Sequence, residues 1–153
     1  MVGFYNGLVC FVKIKYGPDP LFLICNTLTG KSVRLPEYTC SELPRHIPST
    51  SPNPYGHFTS GFGYCPSTNH YKLVAIYYYD GENKGHVQVY TVGGEWRYIR
   101  FMGRYYSYSL AGSSPGIYAN GTIYWPQEKL NCEIMAFDLE REEFHYITLP
   151  GFM

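Results

Sequence analysis

Side chains able to do acid–base, metal or nucleophilic chemistry are scattered in this sequence, and their spacing does not bring them together. The 5 histidines, His46, His57, His70, His86 and His145, show no His-x-His or His-x-x-x-His pair, so solvent exposure or local hydrogen bonding accounts for them better than metal ligation. The 5 cysteines, Cys10, Cys25, Cys40, Cys65 and Cys132, are odd in number and contain no close pair for zinc. They read as small buried hydrophobes in a reducing compartment. Asp138, Glu140, Glu142 and Glu143 crowd around Arg141, where two acids could in principle share general acid–base work, but a solvated turn explains the cluster. Gly61-Phe62-Gly63 lacks the rest of a phosphate-cradling loop, and Asn120-Gly121-Thr122, although a glycosylation sequon, is explained as an Asn-Gly turn. No catalytic, metal or cofactor site is expected, and the chain is not expected to be an enzyme.

Recognition chemistry is better represented. Tyr105, Tyr106 and Tyr108 stand in a run of Ser and Gly, a mixture that joins rigid aromatic contact area to adaptable hydrogen bonding. With Tyr55 and His57, from a second irregular stretch, they are the candidate partner-binding residues. Trp96 and Trp125 sit on predicted strands and are expected to pack between sheets rather than to anchor a partner. Tyr77, Tyr78 and Tyr79 share one strand, so alternate members must face opposite sides.

The elements that position these residues read as strands. Of 153 residues, 45% are hydrophobic, 16% charged and 18% aromatic, including 17 Tyr, which excludes a disordered chain and favours pleated, half-buried surfaces. Apolar positions recur at period two or in short runs bounded by Gly, Pro, Asn or Asp. The predicted strands are Leu8 to Ile14, Leu21 to Cys25, Ser32 to Leu35, Gly61 to Tyr64, Tyr71 to Tyr79, His86 to Val92, Trp96 to Phe101, Gly116 to Tyr118, Thr122 to Trp125, Glu133 to Asp138 and Glu143 to Thr148. Asn6-Gly7, Thr29-Gly30, Gly93-Gly94 and Asn120-Gly121 supply hairpin turns. The Pro-rich stretch 37–58 and the stretch 102–115 read as loops, where a β-scaffold usually carries its binding function. The expectation is one all-β domain over 1–153, built of antiparallel meander sheets.

Charge and hydropathy narrow the partners. Lys+Arg and Asp+Glu are 12 each, so no net positive field exists to attract nucleic acid or a membrane surface. No signal peptide or membrane-spanning run is read, and a cytoplasmic or nuclear location is expected.

The sequence also repeats itself. Asn6 to Phe11 followed by Leu23 to Pro36 has a counterpart in Asn120 to Trp125 followed by Met135 to Pro150. Each copy has an Asn-Gly turn, a strand, a second strand ending at Asn or Asp, a polar turn, and a third strand ending in Leu-Pro. Val87 to Arg97 supplies a related hairpin between them. The period is about 45 residues, the scale of propeller blades.

At these residues the chain resembles the plant F-box-associated domain, a kelch-like region. The resemblance lies in Asn6 to Cys10, Asn26 to Gly30, Gly61 to Tyr64, Tyr71 to Val74, Val89 to Trp96, Asn120 to Trp125 and Phe137 to Phe144. It departs where Cys65 stands in place of the usual Asp, where Leu28 replaces a small polar residue, and where Gln127 follows Trp-Pro. The resemblance implies a partial kelch-like β-propeller of about three blades. It also implies a role as the protein-substrate-recognition region of an SCF-type ubiquitin ligase. The Skp adaptor and the cullin would be reached only through an F-box, which this chain is expected to lack because it starts where the associated domain starts. Two other readings stay open: a carbohydrate-binding, lectin-like β module, and a non-functional gene fragment.

Overall fold

The computed structural model describes residues 1–13, 21–36, 57–78, 85–101, 115–126 and 133–150. Strands β1 (Gly3–Tyr5), β2 (Leu8–Lys13), β3 (Leu21–Asn26) and β4 (Ser32–Arg34) form one antiparallel sheet in chain order. A second holds β5 (His57–Cys65), β6 (His70–Tyr78), β7 (Gly85–Thr91) and β8 (Trp96–Phe101). The third holds β9 (Ile117–Ala119), β10 (Thr122–Pro126), β11 (Glu133–Asp138) and β12 (Glu143–Thr148). There is no helix among the described residues. The architecture is the all-β, three-bladed partial propeller expected, and the sheets are called blades 1, 2 and 3 below.

Every predicted strand is present, several with ends shifted by one residue, while Ile14 and Tyr79 lie outside the described residues. β1 was not predicted, because three residues are too few to show an alternation. β5 begins at His57 rather than Gly61, its first residues hidden by the proline-rich run before them. β9 starts one residue later than predicted, at Ile117.

The repeat is reproduced bond by bond. Asn6 and Gly7 adopt φ of 48° and 82°, and Asn120 and Gly121 adopt 48° and 81°, the left-handed pair that a two-residue hairpin requires. Thr27 N–H donates to Gly7 O at 2.9 Å, and Leu139 N–H to Gly121 O at 3.0 Å. Asn26 Oδ1 accepts from Leu28 N and Thr29 N, as Asp138 Oδ1 accepts from Glu140 N and Arg141 N. The carboxylate cluster is therefore a turn, with Asp138 holding its backbone.

Two hydrophobic layers separate the blades. Between blades 1 and 2 lie Cys10, Phe22, Ile24 and Leu35 against Phe62, Leu73, Ala75, Tyr77 and Tyr90. Between blades 2 and 3 lie Val74, Ile76, Val87 and Val89 against Ile123, Trp125, Met135 and Phe137. Blade 2 is covered on both faces, so Lys72 to Tyr77 and Gly85 to Tyr90 are buried without a break. Full burial of each such Val, Ile, Leu or Phe stabilises by roughly 1.5–3 kcal/mol. Trp125 belongs to this core at 1% exposed, and Trp96 packs on Phe22 and Tyr90 while its indole N–H donates to Pro36 O at 2.7 Å. Cys10 and Cys65 are buried free thiols and Cys25 is half-buried; Cys40 and Cys132 lie outside the described residues. Burial pushes the Cys10 thiol up to about 12, so it behaves as a neutral apolar group at physiological pH.

The glycines of the Gly-Phe-Gly-Tyr segment have a packing role. A Cβ on Gly61 would lie 2.6 Å from Ile123 and one on Gly63 would lie 2.3 Å from Tyr118, while Phe62 between them points to the other layer. Side chains of blade 3 rest directly on the β5 backbone, and only glycine leaves room for them.

Candidate functional site

The innermost strands run side by side in one direction. Tyr5 at the end of β1 stacks on Tyr64 near the end of β5 at 5.1 Å and meets Tyr118 of β9 edge-on at 5.3 Å. Gly116 N–H donates to Ser60 O at 2.8 Å, before β9 begins. Because each blade is an antiparallel meander, this shared direction sorts every connection onto one of two rims. The first-to-second and third-to-fourth strand turns lie on one rim. The second-to-third connections and the links between blades start and end on the other.

The tight-turn rim is closed at the axis by tyrosines. Tyr5, Tyr64, Tyr71 and Tyr118 contact one another with ring centroids 5.1–6.2 Å apart. Their described hydroxyl bonds are internal: Tyr118 donates to Tyr64 O at 2.6 Å and accepts from Gly121 N–H at 3.2 Å, and Tyr64 donates to Asn69 Oδ1. Burial pushes the Tyr118 phenol pKa up, which keeps it protonated in this role. Sequence reasoning did not single out this cluster, although each inner-strand tyrosine stands beside a turn signal. With the Tyr64 and Tyr118 hydroxyls bonded within the fold, the cluster serves as a plug.

The opposite rim holds the strand ends that bound the segments carrying the predicted binding residues. Strand ends at Arg34 and His57 fix the two ends of the link holding Tyr55, and those at Phe101 and Ile117 fix the link holding Tyr105, Tyr106 and Tyr108. Each link joins the outermost strand of one blade to the innermost strand of the next, so both have one end at the outside and one at the axis of this rim. Tyr55, Tyr105, Tyr106 and Tyr108 themselves lie outside the described residues. His57 is the first residue of β5, paired with Tyr78 at the end of β6. Just beneath, on the blade 2 face toward blade 1, His86 Nδ1 lies 3.0 Å from Tyr98 Oη. Beside them Gln88 is fully buried, and neither of its amide atoms has a hydrogen-bond partner among the described residues.

Between β1 and β9 a cleft of about 530 Å³ opens along the axis, lined by residues including Met1, Phe4, Pro115, Ile117 and Asn120. Polar ties cross between the blades. Lys72 Nζ donates to Leu139 O at 2.6 Å, and Arg97 forms a two-bond ion pair with Glu142 Oε1 and Oε2 at 2.7 and 2.6 Å. Hydrogen bonding to Glu142 raises the Arg97 pKa. Among the described residues no group of three His, Cys, Asp or Glu side chains is placed to hold a metal ion, and no helix is long and apolar enough to cross a membrane.

Comparison with known proteins agrees with this geometry. The F-box/kelch-repeat protein At2g43445 of Arabidopsis thaliana is 27% identical over 92% of this chain and 29% of its own length. The Arabidopsis F-box protein At3g57590 is 29% identical over 97% of this chain and 34% of its own, and the Arabidopsis F-box protein DOR is 32% identical over 90% and 33%. The chain thus spans about a third of the length of these relatives. No solved structure shows significant similarity. The F-box associated beta propeller domain matches residues 1–153 from end to end. Three four-stranded blades, a repeat carried down to single turn hydrogen bonds, and that match together place this chain in the F-box-associated β-propeller domain family.

Proposed function

We propose that this chain is the protein-substrate-recognition region of an SCF-type F-box protein and that the substrate docks on the rim from which the long connections depart. One observation carries the reading: the parallel inner strands direct both blade-to-blade links to one rim, while the other rim is closed by tight turns and a tyrosine plug. Tyr55, His57, Tyr105, Tyr106 and Tyr108 are the proposed contacts. Tyrosines among serines and glycines suit a protein surface because they bury large area with little loss of side-chain entropy. The Skp adaptor and, through it, the cullin would be engaged by an F-box in such a protein and not by these residues. The part proposed for this chain is to hold the substrate, without catalysis, in the cytoplasm or nucleus.

The test is in-cell crosslinking followed by mass spectrometry with the wild-type sequence, then affinity measurement for the substrate identified. Changing Tyr105, Tyr106 and Tyr108 together to Ala is expected to weaken binding by at least about tenfold, the scale of an aromatic hot spot. Tyr64→Phe, on the plugged rim, is expected to leave it unchanged. Equal loss from both variants, or binding to free glycans instead of a protein, would overturn the assignment.

A further inference from the structure

Each end blade turns one sheet face away from blade 2, and the repeat identifies what those faces are built to meet. On blade 1 this face carries Phe4, Val9, Phe11, Leu23 and Cys25. Aligning Asn6-Gly7 with Asn120-Gly121, and Asn26 with Asp138, these positions correspond to Tyr118, Ile123, Trp125, Met135 and Phe137. In blade 3 those side chains pack against blade 2, and Ile123, Trp125, Met135 and Phe137 are no more than 1% exposed. In blade 1 the equivalent surface is open, with Phe4 66% and Phe11 42% exposed. Blade 1 therefore has a blade-packing face with no described blade on it.

Blade 3 has the complementary face. Ile117, Tyr124 and Ile134 correspond to Gly3, Cys10 and Phe22, which face blade 2 in the first repeat, yet Ile117 is 63% exposed and Ile147 beside Ile134 is 37% exposed. The charges are opposite too. Among the described residues, the free face of blade 1 adds Lys13 and Arg34 and no acid, whereas that of blade 3 adds Asp138 and Glu143 and no Lys or Arg. One chain thus holds both halves of a contact it already makes twice internally.

We propose that two copies of this chain join head to tail, the free face of blade 3 in each seated on the free face of blade 1 in the other. Such a contact pairs unlike surfaces, so it must either close or run on as a filament. Two copies of three blades close a ring within the four-to-eight-blade range of propellers. Closure would cover Phe4 and Ile117, which flank the axial cleft, and remove both exposed apolar faces at once.

Light scattering on the 153-residue chain tests this. The wild type is expected at twice the 17.6 kDa of one chain, dissociating on dilution. Phe11→Asp and Ile147→Asp each alter a side chain exposed in the single copy and are expected to give monomers with unchanged far-ultraviolet circular dichroism. Mixed in equal amounts, the two variants are expected to regain a pair, because each keeps the face that the other has lost. Three results would overturn the proposal. A wild type that stays at 17.6 kDa would leave the faces to further blades or another protein. A dimer indifferent to Ile147→Asp would pair like faces, and open polymers would exclude the ring.

Discussion

Gly63 and Gly61 offer blade 3 a hydrogen where any other residue would offer a methyl group. The contacts a Cβ would make at Gly63, 2.3 Å to Tyr118 Cδ2 and 2.8 Å to Cε2, fall on a ring held on both sides by Tyr5 and by hydrogen bonds to Tyr64 O and Gly121 N. The ring cannot swing away, so Gly63→Ala is expected to destabilise the fold by about 1–3 kcal/mol, the range for overpacking a filled site. Gly30→Ala also introduces a methyl group but meets nothing within 4 Å; its cost comes from its φ of 73° alone and should be smaller, about 1 kcal/mol. Urea denaturation of the two variants orders them. The sequence shows two glycines flanking a phenylalanine and excludes a phosphate loop. It does not show what the glycines are for, because the ring that needs the space is more than fifty residues away in the chain.

At the scale of the element, the turn after the third strand of a blade is built twice from different residues. Gly30 and Glu142 occupy the same position, each four residues beyond the capping Asn26 or Asp138, with φ of 73° and 56°. A non-glycine residue in that conformation costs roughly 1–2 kcal/mol. Glu142 offsets this through its two hydrogen bonds to Arg97, a pair whose 48% exposed Arg side chain keeps its value near the surface range of about 0.2–1 kcal/mol. Arg97→Ala is therefore expected to destabilise by no more than about 1 kcal/mol. Glu142→Gly, which loses the pair and relieves the backbone, is expected to be neutral or slightly stabilising; thermal melts of both variants at low salt give the comparison. Strand positions were legible because alternation and Asn-Gly signals are local. β1 and the start of β5 were not, one being too short to alternate and the other following a run of prolines.

For the whole molecule, the blade count followed from the repeat, whereas the candidate binding residues rest on composition and on where their connections begin and end. A surface loop has no periodicity to read, since its residues answer to a partner and not to a core. Blade 2, by contrast, answers to the core on both sides, and this sets how the molecule opens. Its two faces are covered only while blades 1 and 3 are both in place, so a blade is not a unit that can unfold alone at the centre. Amides of β6 and β7 should exchange with deuterium only through events that approach complete unfolding, whereas β4 and β12, each paired on one side only among the described residues, should exchange by fraying. Mass spectrometry of exchange should place the slowest peptides at 72–77 and 85–90; equal protection in β4 would contradict this. The most persistent structure then lies in the middle of the chain, and a cut that removes either end blade would bare one hydrophobic face of blade 2 and not release a smaller stable domain.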